Sequence, residues 1–149
     1  AKVHGIEVIF SAVLPVSGDS LAGVKAGAAV TSLVRPSADG SALELQIGGI
    51  RDAFFHDCSD EDVALAEACL CPQPAAAVAA SVALTEARFG RVPRSYIECL
   101  ADRAIEIEAQ RAMQRATPCS RVHRLDAAHS PFFSHPDPLA RALHETAAD

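Results

Sequence analysis

The sequence predicts an α/β fold built on a parallel sheet, and three observations carry that prediction. Residues 5–14 (GIEVIFSAVL) form an apolar run rich in Val and Ile and closed by Pro15, the pattern of a strand buried on both faces. Residues 94–100 (RSYIECL) and 121–125 (RVHRL) read as two further strands, with a helical stretch over residues 104–116 between them. A strand–helix–strand order of that length calls for parallel pairing and a right-handed crossover.

The remaining elements follow in order. After Pro15, residues 17–20 (SGDS) are a loop, and residues 21–34 are small and apolar without a clear period. Residues 35–40 (RPSADG) punctuate the chain, and residues 42–50 alternate as a short strand or hairpin arm. Ser59 with Asp62 three residues on approximates a capping box, so a helix should open there and run to about Leu70, before Pro72 and Pro74. Residues 75–87 are alanine-rich and partly helical, with Gly90 and Pro93 as breakers. The helix over 104–116 has Ile105, Ala109, Ala112, Met113 and Ala116 on its inner side. Residues 126–134 read as a loop, and Pro136 opens a last helix whose inner face is Leu139, Leu143 and Ala147. The expected organisation is one partial domain: a core strand within 1–16, an insert over about 17–90, and a βαβα core over 91–149.

Composition narrows the function classes. Half of the 149 residues are apolar, 21% are charged and the net charge is −6. That balance lacks the basic excess of a nucleic-acid binder, and no run is long and apolar enough to suggest a membrane span. No secretory pattern is visible at the start, so the cytoplasm is the expected compartment. The five cysteines are an odd number, unlike a disulfide framework. Cys69 and Cys71 form a CxC without further ligands at matched spacing, so reduced structural thiols are expected and a metal or redox role is a third-rank alternative.

Two residues stand out by placement. Asp102 lies just past the end of one predicted parallel strand, and His129 lies in the loop after the next. Functional crevices of open α/β sheets form at the carboxyl ends of the strands. Neighbouring strands are about 4.8 Å apart, so the two side chains can meet. A carboxylate there can hold an imidazole in one tautomer and stabilise its protonated form.

The surrounding sequence is more specific. Residues 92–99 (VPRSYIEC), Asp102–Arg103–Ala104–Ile105 and Gln110–Arg111–Ala112–Met113 resemble the acid-bearing strand and following helix of α/β-hydrolases related to pyrethroid hydrolases, plant methylesterases and hydroxynitrile lyases. His129–Ser130–Pro131–Phe132–Phe133–Ser134, with Pro136 and Leu139–Ala140 behind it, is similar to their histidine loop and final helix. Residues 8–21 (VIFSAVLPVSGDSL) resemble the strand after the nucleophile helix, and residues 54–62 (FFHDCSDED) look like cap sequence of the same group. Residues 24–41 match least.

The resemblance implies the C-terminal half of an α/β-hydrolase with a helical cap, acting on carboxylic esters through a Ser–His–Asp triad. His129 and Asp102 would be catalytic, and Phe132 and Phe133 would line the acyl pocket. No cofactor or metal is implied. The family's nucleophile sits in a G-x-S-x-G elbow, and none occurs in these residues; Gly18–Asp19–Ser20–Leu21–Ala22 ends in Ala. The serine is therefore expected on a missing or separate N-terminal half; as a separate chain that half would make a heterodimer, and the substrate would be a small-molecule ester. The strand at 5–14 also lacks a neighbour on its far side, which such a chain would supply. Cyanohydrin cleavage by the same triad and a non-catalytic binding module are the alternatives.

Other candidates carry less. His56–Asp57 with Cys58 reads as cap sequence that caps the following helix and packs. His123 alternates with Val122 and is expected on a solvated face. His135 and His144 flank or lie within the last helix, and Glu98, Glu106 and Glu108 are expected on solvated or paired faces. Arg88, Arg91 and Arg94 read as plain surface.

Overall fold

A computed structural model of the chain describes the backbone of residues 7–10 and the whole of residues 13–24 and 27–147. The first strand, β1, is observed over Glu7–Phe10. The expectation that its side chains are buried on both faces lies outside the described residues, as do the flanking positions 5, 6, 11 and 12. Beyond it, Leu14 is buried against Tyr96.

The insert is more mixed than a helical cap. A short helix α1 (Ala28–Thr31) precedes an antiparallel sheet of β2 (Val34–Pro36) and β3 (Ala42–Leu45). Their turn is fixed locally: the Asp39 carboxylate accepts from the Ser41 N–H at 3.0 Å and from the Ser37 and Ser41 hydroxyls. Those bonds, led by the Ser41 N–H, hold its pKa down to about 2. Gly40 takes φ +72°, which glycine tolerates without steric cost. The strand expected over 42–50 stops at Leu45, because residues 47–49 (IGG) tighten into a 3-10 turn and the chain passes into α2 (Ile50–Phe54).

Helix α3 (Asp60–Cys69) begins where the capping signal placed it. Ser59 Oγ accepts from the Asp62 N–H at 3.1 Å and donates to the Asp62 carboxylate at 2.6 Å. Strand β4 (Gln73–Pro74) then adds to β3, and the alanine-rich stretch is α-helical over α4 (Ala75–Ala79), with a π-helical turn over Glu86–Gly90 at its end. The insert encloses its own core of Ile50, Phe55, Cys58, Val63 and Ala66, onto which Phe133 packs from the C-terminal region. Burial pushes the Cys58 thiol up to about 11, so it is an inert packing group.

The C-terminal region follows the expected βαβα order. Strand β5 (Arg94–Cys99), helix α5 (Ile107–Ala116), strand β6 (Arg121–Leu125), the short helix α6 (Pro131–Ser134) and helix α7 (Pro136–Ala147) succeed one another. The main sheet is parallel in the order β1-β5-β6. Alternation along β5 divides its side chains between two layers. Ile97 joins Leu125, Ala127, Leu139 and Ala142 beneath α7, whereas Tyr96 meets Leu14 and Met113 beneath α5.

Several expectations need correction. Helix α5 starts at Ile107 rather than 104, because the Asp102 carboxylate captures the N–H groups of Ala104 and Ile105 in a turn. Its Ala112 and Ala116 are exposed, and the fully buried residue is Gln110. On α7, Leu139 is buried and Leu143 partly so, but Ala142 and Thr146 complete the inner face in place of Ala147. His123 turns inward: its Nε2 lies 3.0 Å from the Thr146 hydroxyl on α7, while Val122 is the exposed neighbour. The reason is the pleat, since Val122 and Arg124 share the opposite face of this strand. The expected loop over 126–134 contains α6.

Glu98 is buried on the α5 side of β5, and its carboxylate meets Arg111 at 3.3 Å, Gln114 at 3.2 Å and Arg124 at 3.1 Å. Burial alone would raise its pKa, but these donors together hold it below the ordinary value. A carboxyl depressed by folding contributes stability that is complete above the ordinary carboxylate range and is lost as pH falls through the folded pKa. Glu98→Gln is expected to lower stability at pH 7 by about 1 kcal/mol, a modest figure because both arginines are partly exposed. Denaturation of both forms between pH 7 and pH 3, each together with the N-terminal half that the resemblance implies, checks this: the deficit of the variant should shrink steadily towards the acid end.

Candidate active site

The site is set by strand register. Cys99 pairs with Leu125 at the carboxyl ends of β5 and β6. The ladder continues past the strands, with the Leu100 N–H donating to the Leu125 carbonyl at 2.9 Å and the Ala101 N–H to the Ala127 carbonyl at 3.0 Å. The two chains then diverge into the turns that carry Asp102 and His129. These residues meet: His129 Nδ1 lies 3.0 Å from Asp102 Oδ2 and 3.2 Å from Oδ1.

Asp102 is built for one role. Its side chain is inaccessible to solvent, and Oδ1 accepts the N–H groups of Ala104 at 2.7 Å and Ile105 at 2.9 Å. An ionised carboxylate offers only acceptors, so the proton between it and the ring resides on Nδ1. That selects the tautomer in which Nε2 is the basic nitrogen.

Gln110 supports the turn from behind. Its side-chain carbonyl accepts the Cys99 N–H at 3.1 Å, and its amide donates to the Cys99 carbonyl at 2.9 Å and the Ile105 carbonyl at 2.8 Å. A buried amide is tolerated there because its partners are all present. The sequence reading did not assign it a role. The available signal was a polar residue on the helical stripe that Ile107 and Met113 share. Gly27 also abuts this turn, donating to the Ala104 carbonyl at 2.8 Å, and a Cβ there would come within 2.1 Å of the Arg103 carbonyl oxygen.

The insert walls the other side. A cavity of about 240 Å³ is lined by Leu45, Phe54, Phe55, Leu70, His129, Ser130 and Phe132. Phe54 stands edge-on to the His129 ring, with centroids 5.3 Å apart at 63°. Of the two phenylalanines expected in an acyl pocket, Phe132 borders this cavity. Phe133 instead packs against Phe55, centroids 6.2 Å apart, within the core of the insert.

The lesser candidates fall elsewhere. His135 Nδ1 lies 2.9 Å from the Ser134 hydroxyl and 3.5 Å from Asp57, not at Asp102. Asp57 does not cap α3, which Ser59 does; it accepts the Ala128 N–H at 2.8 Å and the Ser134 hydroxyl at 2.9 Å. Ser17 bonds the Leu84 backbone. Cys69 and Cys71 are exposed thiols. Among the described residues no cluster of three His, Cys, Asp or Glu side chains could hold a metal, and no helix is long and apolar enough to cross a membrane.

Comparison with known proteins places this geometry in a family. The model of the alpha/beta hydrolase family matches residues 1–142. The pyrethroid hydrolase of Sphingobium wenxiniae is 32% identical over 119 residues, which is 77% of this chain and 42% of that protein. Methylesterase 17 of Arabidopsis thaliana is 38% identical over 90 residues, 58% of this chain and 33% of that one. The crystal structure of a pyrethroid hydrolase from Sphingobium faniae superposes with a TM-score of 0.83 at 27% identity, covering 96% of this chain and 60% of its own. The chain thus spans less than half of either curated relative. Its sheet, its acid and histidine turns and the matching family model together establish that this chain belongs to the α/β-hydrolase family.

Proposed function

We propose that the chain supplies the acid and the base of a serine hydrolase acting on carboxylic esters, the nucleophile being carried by the N-terminal half of the fold, which lies outside these residues. The observation that carries this reading is the 3.0 Å bond between His129 Nδ1 and the buried Asp102 carboxylate at the carboxyl end of a parallel sheet. His129 Nε2 takes the proton as the serine oxygen attacks the ester carbonyl, and Asp102 stabilises the resulting imidazolium. The proton then passes to the departing alcohol, and water repeats the cycle on the acyl-enzyme. Backbone N–H groups of the N-terminal half form the oxyanion hole.

The apolar walls of the cavity beside His129, with Phe54, Phe55 and Phe132, suit an ester with an apolar acyl or alcohol group. The hydrolase and esterase names of the similar proteins agree with that chemistry. Two features support a partner half. No described strand pairs with the outer edge of β1. A cavity of about 620 Å³ is lined by Val13, Leu14, Val24, Ala109, Ala112 and Met113, with Asp19, Glu106 and Glu108 at it too, so part of the α5 face that the helical pattern marks as internal is left open.

In the assembled hydrolase, His129→Ala should abolish nearly all turnover with little change in melting temperature. Asp102→Asn should cost about 10⁴-fold in kcat, the loss that follows when the orienting acid is neutralised. The substitution keeps an acceptor for the Ala104 and Ile105 N–H groups, so the turn should hold. Near-normal rates of chromogenic ester hydrolysis in both variants would sink the mechanism.

The chain expressed alone should aggregate, pair with itself or stay partly unfolded, and show no esterase activity. Leaving several apolar side chains of the open groove in water forgoes on the order of several kcal/mol at ~25 cal/mol per Å², comparable with the net stability of a domain. Light scattering beside the ester assay checks this. A monodisperse, cooperatively folding monomer would overturn the reading that the N-terminal half is needed to complete the sheet.

A further inference from the structure

We infer that Asp57, in the turn between α2 and α3, is a positioning residue for His129, so that the insert aims the base as well as walling the cavity. This rests on the esterase reading above for what the histidine does, but on separate contacts for how it is held.

One carboxylate oxygen, Asp57 Oδ2, accepts from two points of the histidine turn: the Ala128 N–H at 2.8 Å and the Ser134 hydroxyl at 2.9 Å. Ala128 immediately precedes His129, and Ser134 ends α6 just after it. The turn is therefore gripped on both sides of the histidine, at the Ala128 backbone before it and at the Ser134 side chain after it, by a single group from another part of the chain. The Ala128 bond fixes the peptide plane from which His129 departs, and Ala128 is wholly buried. Burial opposes ionisation of Asp57, but the bonds from Ala128, Ser134 and Cys58 together keep its carboxyl below the ordinary value, so the acceptor is charged at neutral pH.

The same segment touches the ring itself. Phe54, three residues earlier, stands edge-on to His129. Asp102 holds Nδ1 from one side, and the turn ending in Asp57 holds the ring's backbone and face from another. The second acidic tie from the insert, Asp52 to Arg103 beside Asp102, joins two well-exposed side chains and contributes little. Asp57 is distinguished from it by partial burial and by bonding backbone. A displacement of about 1 Å in a reacting group can cost 10²-fold in rate, so loosening this turn should be read in turnover.

The test compares Asp57→Ala, Asp57→Asn, Ser134→Ala and Asp102→Asn in the assembled hydrolase, measuring kcat, KM, melting temperature and amide exchange at Ala128. Asp57→Ala should lower kcat 10- to 100-fold with KM within twofold, and speed Ala128 exchange at least tenfold. Asp57→Asn, which keeps an acceptor, should restore most of both. Ser134→Ala should cost a few-fold in kcat, and it decides with Asp57→Asn if the alanine variant does not fold. Normal kcat in Asp57→Ala despite a lower melting temperature would mean a purely structural anchor and overturn the inference. So would unchanged Ala128 exchange. If Asp102→Asn leaves the rate intact, the esterase reading fails by itself. Asp57 is then judged by Ala128 exchange and by the His129 Nδ1–H proton resonance, and their persistence in Asp57→Ala refutes it.

Discussion

Parallel pairing of β5 with β6 governs everything built above it. The pairing of Cys99 with Leu125 brings two strand ends into register, and the two ladder bonds beyond them keep the chains together for two more residues. Only then do the turns begin, one carrying Asp102 and the other His129. A slip of one residue would reverse the face of every side chain in β6 and separate the pair. The register is held by Ile97 and Leu125 in the shared core beneath α7, and by Glu98 bridging to Arg124 on the opposite face.

The turns themselves are stabilised by saturating backbone polar groups rather than by apolar packing. Asp102 takes two N–H groups as well as the imidazole, and Gln110 satisfies both backbone groups of Cys99. Charge-assisted bonds of this kind are short and directional, which suits a site where orientation matters more than bulk stability. The insert completes the arrangement with an acceptor for Ala128 and an aromatic edge for the ring. Its apolar core is a separate cluster, and Phe133 from the C-terminal region packs onto it beside the histidine turn.

An α/β architecture, the three core strands, the start of α3 and the meeting of Asp102 with His129 were all legible in the chain, because each depends on local signals. Apolar runs mark strands, Ser59 with Asp62 marks a helix start, and strand ends mark where polar side chains gather. The resemblance of the acid and histidine segments added the family. What the chain concealed depends on residues far apart in sequence. Asp57 lies 71 residues from Ala128, and nothing local distinguishes it from a cap. Phe133 was indistinguishable from Phe132 until the short helix α6 turned one into the insert and left the other at the cavity.

The sequence by itself determined element type and the order of acid and histidine, since propensity, capping and periodicity act over a few residues. Tertiary structure alone decided which faces are internal. Gln110 is buried because its amide bonds the Cys99 N–H and the Cys99 and Ile105 carbonyls, and His123 faces inward because the pleat of β6 turns that position toward α7. Burial of a polar side chain is a property of the partners it finds, and those partners are chosen by the packing of the whole chain.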